Sequence, residues 1–591
     1  MTEDSAIAKR LFRDNVLPAC ATAAVLVISN LVDAAVTGQC LGKPAVAAFG
    51  LTNPVLLGVI GLSGMLGVGT VIEIGQALGK GERDKVRPIL STALAAGSAL
   101  GILIMLCLLA FSRPLAAVMG ARPELLGQAA DYLRGFAYGV PAFFLQSILG
   151  YLMPLDGDKG RVVSAMAVST AVNVVLDLMN GFVFHLGLYG MALATAVSYW
   201  VELGVLTLHF RRKEKLFHFS LLPIRPGSLG GIMRNGAPFA LQLLLRMLGM
   251  ILINRIILSI STTESVAVFS LLMSSANLIL IDGSAVGTTV LTLENCFVGE
   301  EDARSVKALM NTALRHVLLV NLCVFGVCLL SAPLILRLFT RDATLFGPGI
   351  HAFRLFASSC VVYAVNFAFR SHLQCIRRTG LSMIYAAFDV MIGPVAVAFC
   401  LSRLIGVDGV WLSYTVGEFL ALIGLSVCAA LRNRRPALRL SDLLFLDPEW
   451  ESEDASGLNL TVFCGDEALR ETVKASEETV AFLLSRGADR RMANLFGVCV
   501  EELGSNIVRH SFRKSGNLFE IGLQRRSGVW TLRIRDNCAY FNVADHLRIQ
   551  DEQKEKLGLR IVRGIAQEVR YLSALKINNV LIRVPTEEVR S

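Results

Sequence analysis

The sequence predicts an all-α membrane protein of about twelve spanning helices in two parallel six-helix lobes, followed by a small C-terminal α+β sandwich. Three observations lead there: an apolar composition, an internal repeat, and an abrupt end to the apolar runs after Arg439.

Of 591 residues, 54% are hydrophobic and 17% charged, with a mean hydropathy of +0.58, too apolar for a soluble chain of this length. Windows of about 19 residues find about twelve apolar runs long enough for a hydrocarbon core about 30 Å thick. The opening MTEDSAIAKRLFRDN is polar and the run after it lacks a small-residue cleavage pattern, so that run is read as the first spanning helix rather than a cleaved leader. The 13 cysteines are scattered through apolar segments without C-x-x-C spacing, which reads as small buried hydrophobes and excludes a disulfide framework.

The net charge of +9 does not gather into a nucleic-acid patch. Basic residues instead alternate with topology: Lys9, Arg10 and Arg13, then Lys80, Arg83, Lys85 and Arg87, Lys159 and Arg161, Arg211 to Lys215, Arg377 and Arg378, and Arg432 to Arg435. By the positive-inside rule these loops, and both ends of the membrane region, are expected in the cytoplasm of a bacterial cell, which requires an even number of spans.

Laid on itself, the membrane part repeats with a period of about 219 residues. GTVIEIGQALGKGERD (69 to 84) falls over GTTVLTLENCFVGEED (287 to 302), AVAAFG over SVAVFS, and Asn15 and Pro18 over Asn235 and Pro238. Six spans return the chain to its starting side, so the halves are parallel and should enclose a cavity between two bundles. The expected units are a first lobe over 1–220, a second over 221–438, an acidic linker over 439–457 and a cytosolic domain over 458–591. In the last, LNLTVFC reads as a strand, followed by helices from about Asp466 and about Arg490. Alternating strands LFEIGLQRR and VWTLRIRD come next, then a lid, a helix over 557–569 and a strand VLIRV.

Ionisable residues inside the apolar runs are candidates for function, since an ionised carboxylate at mid-membrane costs about 2.5 to 3.5 kcal/mol on the insertion scale. Asp33 lies in the first run, and Asp177 with Asn173 one turn before it in the fifth. A desolvated carboxylate titrates closer to neutrality, as a proton-coupled step needs; the competing expectation is that these groups only satisfy broken backbone or each other. Arg246, Asp282 and Asp389 are expected around a cavity of the second lobe, with Arg246 pairing Asp282 or Asp389. Glu73, Glu202, Glu294 and Glu418 are expected to be structural, Glu73 and Glu294 by reaching the interface from helix ends.

The membrane part resembles the multidrug and toxic compound extrusion (MATE) family. The resemblance rests on Pro18, the Val32, Asp33, Gly38 core followed by LGKPAVAA, and Gly67, Gln76, Gly79 and Gly81. It continues with Asn173 and Asp177, and with Gly187, Gly190 and Thr195. It implies export of amphipathic or cationic small molecules in exchange for H+ or Na+, with alternating access between the lobes. It also puts Asp33, Asn173 and Asp177 at positions similar to the family's first-lobe cation site.

In the C-terminal domain FGVCVEELGSNIVRHS places Glu502 and Asn506 four residues apart on one helix face. The segment is similar to the first nucleotide-binding box of the GHKL (Bergerat) ATP-binding fold in the form found in anti-sigma-factor kinases. That resemblance implies Glu502 as general base, Asn506 as the Mg2+ holder, Asp536 and Asn537 at the adenine-reading position, and Gly558 at the phosphates. The chain departs from the family pattern where Cys538, Ala539 and Tyr540 replace glycines and where Gly558 stands without a second glycine. No Walker A pattern is present, so ATP is not expected to power transport. The expected function is ion-coupled efflux with an ATP-binding regulatory tail. Two alternatives stay open: a membrane-anchored signalling protein whose tail acts on an anti-sigma-factor-like protein partner, and a lipid or oligosaccharide flippase.

Overall fold

The computed structural model describes residues 5–36, 41–119, 123–211, 224–261, 263–339, 343–437, 439–450, 456–526, 528–538 and 568–585. Among these, nine helices are long and apolar enough to span a membrane, and three further helix pairs, each bent by 40° or more, bring the total to twelve if each pair crosses once.

The first lobe runs α1 (Ala6–Val36), α2 (Gly42–Gly79), α3 (Arg83–Val118), the bent pair α4 (Pro123–Ala137) and α5 (Val140–Leu152), α6 (Lys159–Met179) and α7 (Gly187–Thr207). The second runs α8 (Pro226–Ile260), the pair α9 (Thr263–Ile279) and α10 (Ile281–Gly299), α11 (Ala303–Phe339) and the pair α12 (Ala343–Ala357) and α13 (Ser359–Cys375). It ends with α14 (Thr379–Ala387), α15 (Gly393–Ile405) and α16 (Asp408–Asn433). The fifth crossing of each lobe is interrupted by a π turn, Asn180–Phe184 after α6 and Phe388–Ile392 between α14 and α15. Such turns widen the helix locally and are common where a side chain must be re-aimed.

At one end the lobes close on each other through small residues. A Cβ at Gly79 would lie 2.2 Å from the carbonyl oxygen of Cys296, and one at Gly299 2.5 Å from that of Gln76, so α2 and α10 meet backbone to backbone. Gln76 adds a donated bond to the Cys375 carbonyl at 2.7 Å. Glu73 reaches across to Asn235, which donates to it at 2.6 Å, and to Arg377 at 3.3 Å.

A connector with a short turn α17 (Leu440–Leu443) packs against α13, where His372 Nε2 lies 2.6 Å from the Leu444 carbonyl. The C-terminal domain then forms one antiparallel sheet, β1 (Leu458–Phe463), β2 (Leu518–Arg526), β3 (Val529–Asp536), β4 (Glu568–Ala574) and β5 (Ile577–Pro585), in the order β1-β2-β3-β5-β4. Two helices, α18 (Ala468–Ser485) and α19 (Arg490–Ser511), cover one face. Phe519, Ile521, Leu523, Trp530, Leu532, Ile534, Val580 and Ile582 form the core beneath them. Strand alternation sends Glu520, Arg533, Arg535 and Asn579 to the other face. That face rests on the closed end of the membrane unit.

The helix expected over 557–569 gives way to β4 by Glu568, and its earlier part lies outside the described residues. The hairpin from β4 to β5 turns on Leu575 and Lys576, both with φ near +60°, and Ala574 faces Ile577 across it. A two-residue turn of this kind normally carries Asn or Gly, so Leu-Lys gave no turn signal.

Candidate functional site

In the first lobe α6 presents Asn173 and Asp177 on one face, both almost fully buried. The π turn begins three residues after Asp177, and Asn180 secures it by donating to the Gly187 carbonyl at 2.9 Å and accepting from Leu186 N–H at 3.0 Å. Asp33 belongs to α1, which packs against α6, but the surroundings of its side chain lie outside the described residues.

In the second lobe the expected partner of Asp389 is replaced. Asp389 sits in the π turn, and the guanidinium of Arg370, from α13, meets it at 2.5 Å. Arg246 makes no ion pair with Asp389 or Asp282 among the described residues; Asp282 instead accepts from Asn321 at 2.7 Å and lies 3.0 Å from His316. The physical reason is reach: Arg370 is buried directly opposite the π turn, stacked over Phe367 at 4.8 Å, whereas Arg246 is only half-buried on α8. Asn366 completes the cluster by donating to Asp389 at 2.5 Å and to the Glu418 carbonyl at 3.0 Å, and Tyr385 donates to Asn366 at 2.7 Å. Arg370 also lines a cavity of about 30 Å³ between the lobes, with Gln242, Phe239, Thr288, Phe367 and Tyr151. One cation thus faces this cavity, with a carboxylate behind it.

Glu294 corrects a second expectation. It does not reach an interface but is fully buried, 2.5 Å from His372 Nδ1. The sequence signal for Arg370 and His372 was available, since both are polar residues within the apolar run ending at Cys375, but no spacing ties them to Asp389 and Glu294.

In the tail Asp536 is buried at the end of β3. Asn578 donates to one carboxylate oxygen at 2.9 Å, the Cys538 N–H donates to the same oxygen at 2.9 Å, and Tyr571 holds Asn578 at 2.6 Å. Burial raises the Asp536 carboxyl above its ordinary range, and burial with the adjacent Asp536 pushes the Cys538 thiol up to about 12. Asn537 turns away: its side-chain oxygen accepts from Leu518 N–H at 2.9 Å and its amide donates to the Gly516 carbonyl at 3.2 Å, so it fastens β2. Glu502 and Asn506 share a face of α19 and are half-buried, whereas Glu501 is exposed. Gly558 lies outside the described residues. A buried carboxylate held by an amide, beneath a helix carrying Glu502 and Asn506, fits the base-reading half of an adenine nucleotide site. The Asn537 side chain does not fit a direct role there.

Comparisons with known proteins agree with this division. The MatE family profile matches residues 18–179 and 238–399, together more than half of the chain, and the profile of the histidine kinase-like ATPase domain matches 467–583. The multidrug export protein MepA of Staphylococcus saprophyticus is 26% identical over 401 residues, covering 66% of this chain and 86% of that one, and MepA of Staphylococcus aureus gives the same figures. Among solved structures, an outward-facing multidrug resistance MATE transporter of the MOP superfamily superposes with a TM-score of 0.68 at 24% identity, covering 73% of this chain and 98% of that one. A MOP superfamily transporter from Pyrococcus furiosus, described as having a binding pocket of reversed polarity, gives 0.67 at 23%, covering 73% and 97%. With each lobe matched by its own copy of the profile, the chain belongs to the MatE family of membrane transporters and carries a histidine kinase-like ATPase domain at its C-terminal end.

Proposed function

We propose that the chain exports amphipathic or cationic compounds across a bacterial cytoplasmic membrane by antiport against H+ or Na+, with both ends of the membrane unit and the tail in the cytoplasm. The observation that carries this reading is the burial of Asp177 beside Asn173 on α6, at the π turn and against the helix that bears Asp33. A carboxylate kept at such a place in lipid is retained for ion exchange more readily than for stability. The export proteins among the relatives support the substrate class, and the basic loops on the tail side support the orientation.

The tail is proposed to bind ATP as a regulator. Asp536 would read the base, and Glu502 and Asn506 would face the phosphates and Mg2+. The intact pair Glu502 and Asn506 is also what a signalling role would need, and a phosphorylated protein partner is the sign of it.

Dye efflux from proteoliposomes under an imposed proton or sodium gradient tests the exporter. The expected result is gradient-dependent efflux from the wild type and loss of about tenfold or more in Asp177→Asn at unchanged protein level. Absence of gradient-dependent efflux from the wild type would sink the reading.

A further inference from the structure

The open face of the tail sheet touches both lobes at once. On the first lobe Glu520 accepts from the Ser5 hydroxyl and the Ile7 N–H, each at 3.1 Å, where α1 begins. Arg570 donates to the Lys80 carbonyl at 2.8 Å between α2 and α3, and Leu575 N–H donates to the Leu155 carbonyl at 2.6 Å between α5 and α6. On the second lobe the loop from α10 to α11 meets β3 and β5. Arg535 lies 2.7 Å from Asp302 and 3.1 Å from Glu300, Arg533 donates to the Glu300 carbonyl at 3.0 Å, and Asn579 donates to the Glu300 carboxylate at 2.8 Å. Arg535 also stands 3.5 Å from Glu520, which joins the two patches.

These contacts sit directly above the place where Gly79 and Gly299 bring α2 and α10 together. A five-stranded antiparallel sheet does not stretch, because its ladder fixes the spacing of neighbouring strands at about 4.8 Å. Parting the lobes at this end therefore requires one patch to let go. Asp302, Glu520 and Arg535 are buried and the Glu300 side chain is 7% exposed, and a buried ion cluster is strongly destabilised when one partner is withdrawn.

We propose that the sheet face of the ATPase-like domain is a latch that staples the cytoplasmic ends of the two lobes and holds the transporter closed on that side, with Arg533 and Arg535 on Glu300 and Asp302 as its releasable half. The inference rests on the exporter reading only for its consequence in transport. The latch itself is a contact between parts of one chain. It stabilises the closed arrangement by whatever it loses on opening, and so shifts the population of the opened one.

Cys296 reports the latch without reference to transport. Its thiol is buried, its carbonyl lies at the Gly79 crossing, and the next residue, Phe297, is covered by Arg535, so its alkylation by maleimide follows the packing of this end of α10. The full-length protein in liposomes is alkylated, and the peptide bearing Cys296 is followed by mass spectrometry. The same samples carry a protease site inserted in the linker at 451–455, so that retention of the tail after cleavage is read directly. The expected result for R533E/R535E is tail release and Cys296 alkylation about fivefold faster or more. The charge-swapped protein E300R/D302R/R533E/R535E should retain the tail and protect Cys296 as the wild type does, which shows that the altered surfaces fold. Tail release with unchanged Cys296 alkylation would overturn the latch, as would a tail that stays bound in R533E/R535E or a swap that restores neither readout. If efflux is absent in every protein while Cys296 behaves as expected, the exporter reading fails and the latch stands.

Discussion

Arg535 and Asp536 are consecutive on β3 and face opposite ways: the Arg535 guanidinium holds Asp302 of the membrane unit at 2.7 Å, while the Asp536 carboxylate accepts from Asn578 on the helix side of the sheet at 2.9 Å. Their strand partners repeat the division, since Arg535 lies opposite Asn579, which binds Glu300, and Asp536 lies opposite Asn578. The position expected to read a nucleotide and the position that grips the transporter are thus one peptide apart.

This proximity predicts that nucleotide reaches the lobes. ATP with Mg2+ is expected to raise the thermal stability of the full-length protein and to change the rate of Cys296 alkylation, and Asp536→Ala is expected to abolish both responses. A wild type with no thermal shift removes the nucleotide; a shift without any change at Cys296 removes the coupling.

The acid cluster predicts a pH dependence of docking. Burial holds the Glu300 carboxyl above its ordinary range despite Arg533 and Arg535 beside it, whereas those two arginines hold Asp302 below its range against the same burial. The other groups facing Glu300 are Asp302 and Asn579. A raised carboxyl stabilises docking fully in acid and loses its contribution as pH rises through the raised value. The contribution of Asp302 is present above about pH 4 and is lost only below it. After linker cleavage in high salt, tail retention is therefore expected to fall as the pH is raised from the acid side, and Glu300→Gln should flatten the difference. Equal retention in the wild type would count against the assignment.

Inside the second lobe, Arg370→Met leaves Asp389 buried without its counter-charge. The expected loss of stability is about 3–5 kcal/mol, seen as a lower Tm in detergent. Adding Asp389→Leu should recover most of it, because an apolar pair of similar volume tolerates the site. A double variant no more stable than the single one would show that the pair is not the source of the loss.

The β4 to β5 turn carries strain that can be relieved. Lys576 has φ of 60° and is exposed, and a non-glycine residue held there costs about 1–2 kcal/mol. Lys576→Gly is expected to raise the thermal stability of the tail by about 1 kcal/mol with docking retained. A fall in stability would mean that the Lys576 side chain, which lies against Gly157, contributes more through that contact than the turn loses.

Much of this protein is determined by sequence alone because its strongest signals are local. Apolar runs of spanning length, the 219-residue repeat and short strand-like segments such as Leu518–Arg526 and Val529–Asp536 follow from lipid and from the period of a strand, and they specified the two lobes and four of the five strands, β4 being read as the end of a helix. Asp177 and Asn173 were legible for the same reason, as polar residues one helical turn apart in an apolar run. Tertiary structure alone decided the partners: Arg370 rather than Arg246 for Asp389, His372 for Glu294, and the α10–α11 loop for Arg533 and Arg535. Those residues are 19, 78 and more than 200 positions apart, and a charge advertises only that it needs a counter-charge. The polar face of the tail sheet, where Glu520, Arg533 and Arg535 alternate against its core, is an interface only because the chain brings the two lobes beneath it, which the alternation alone does not indicate.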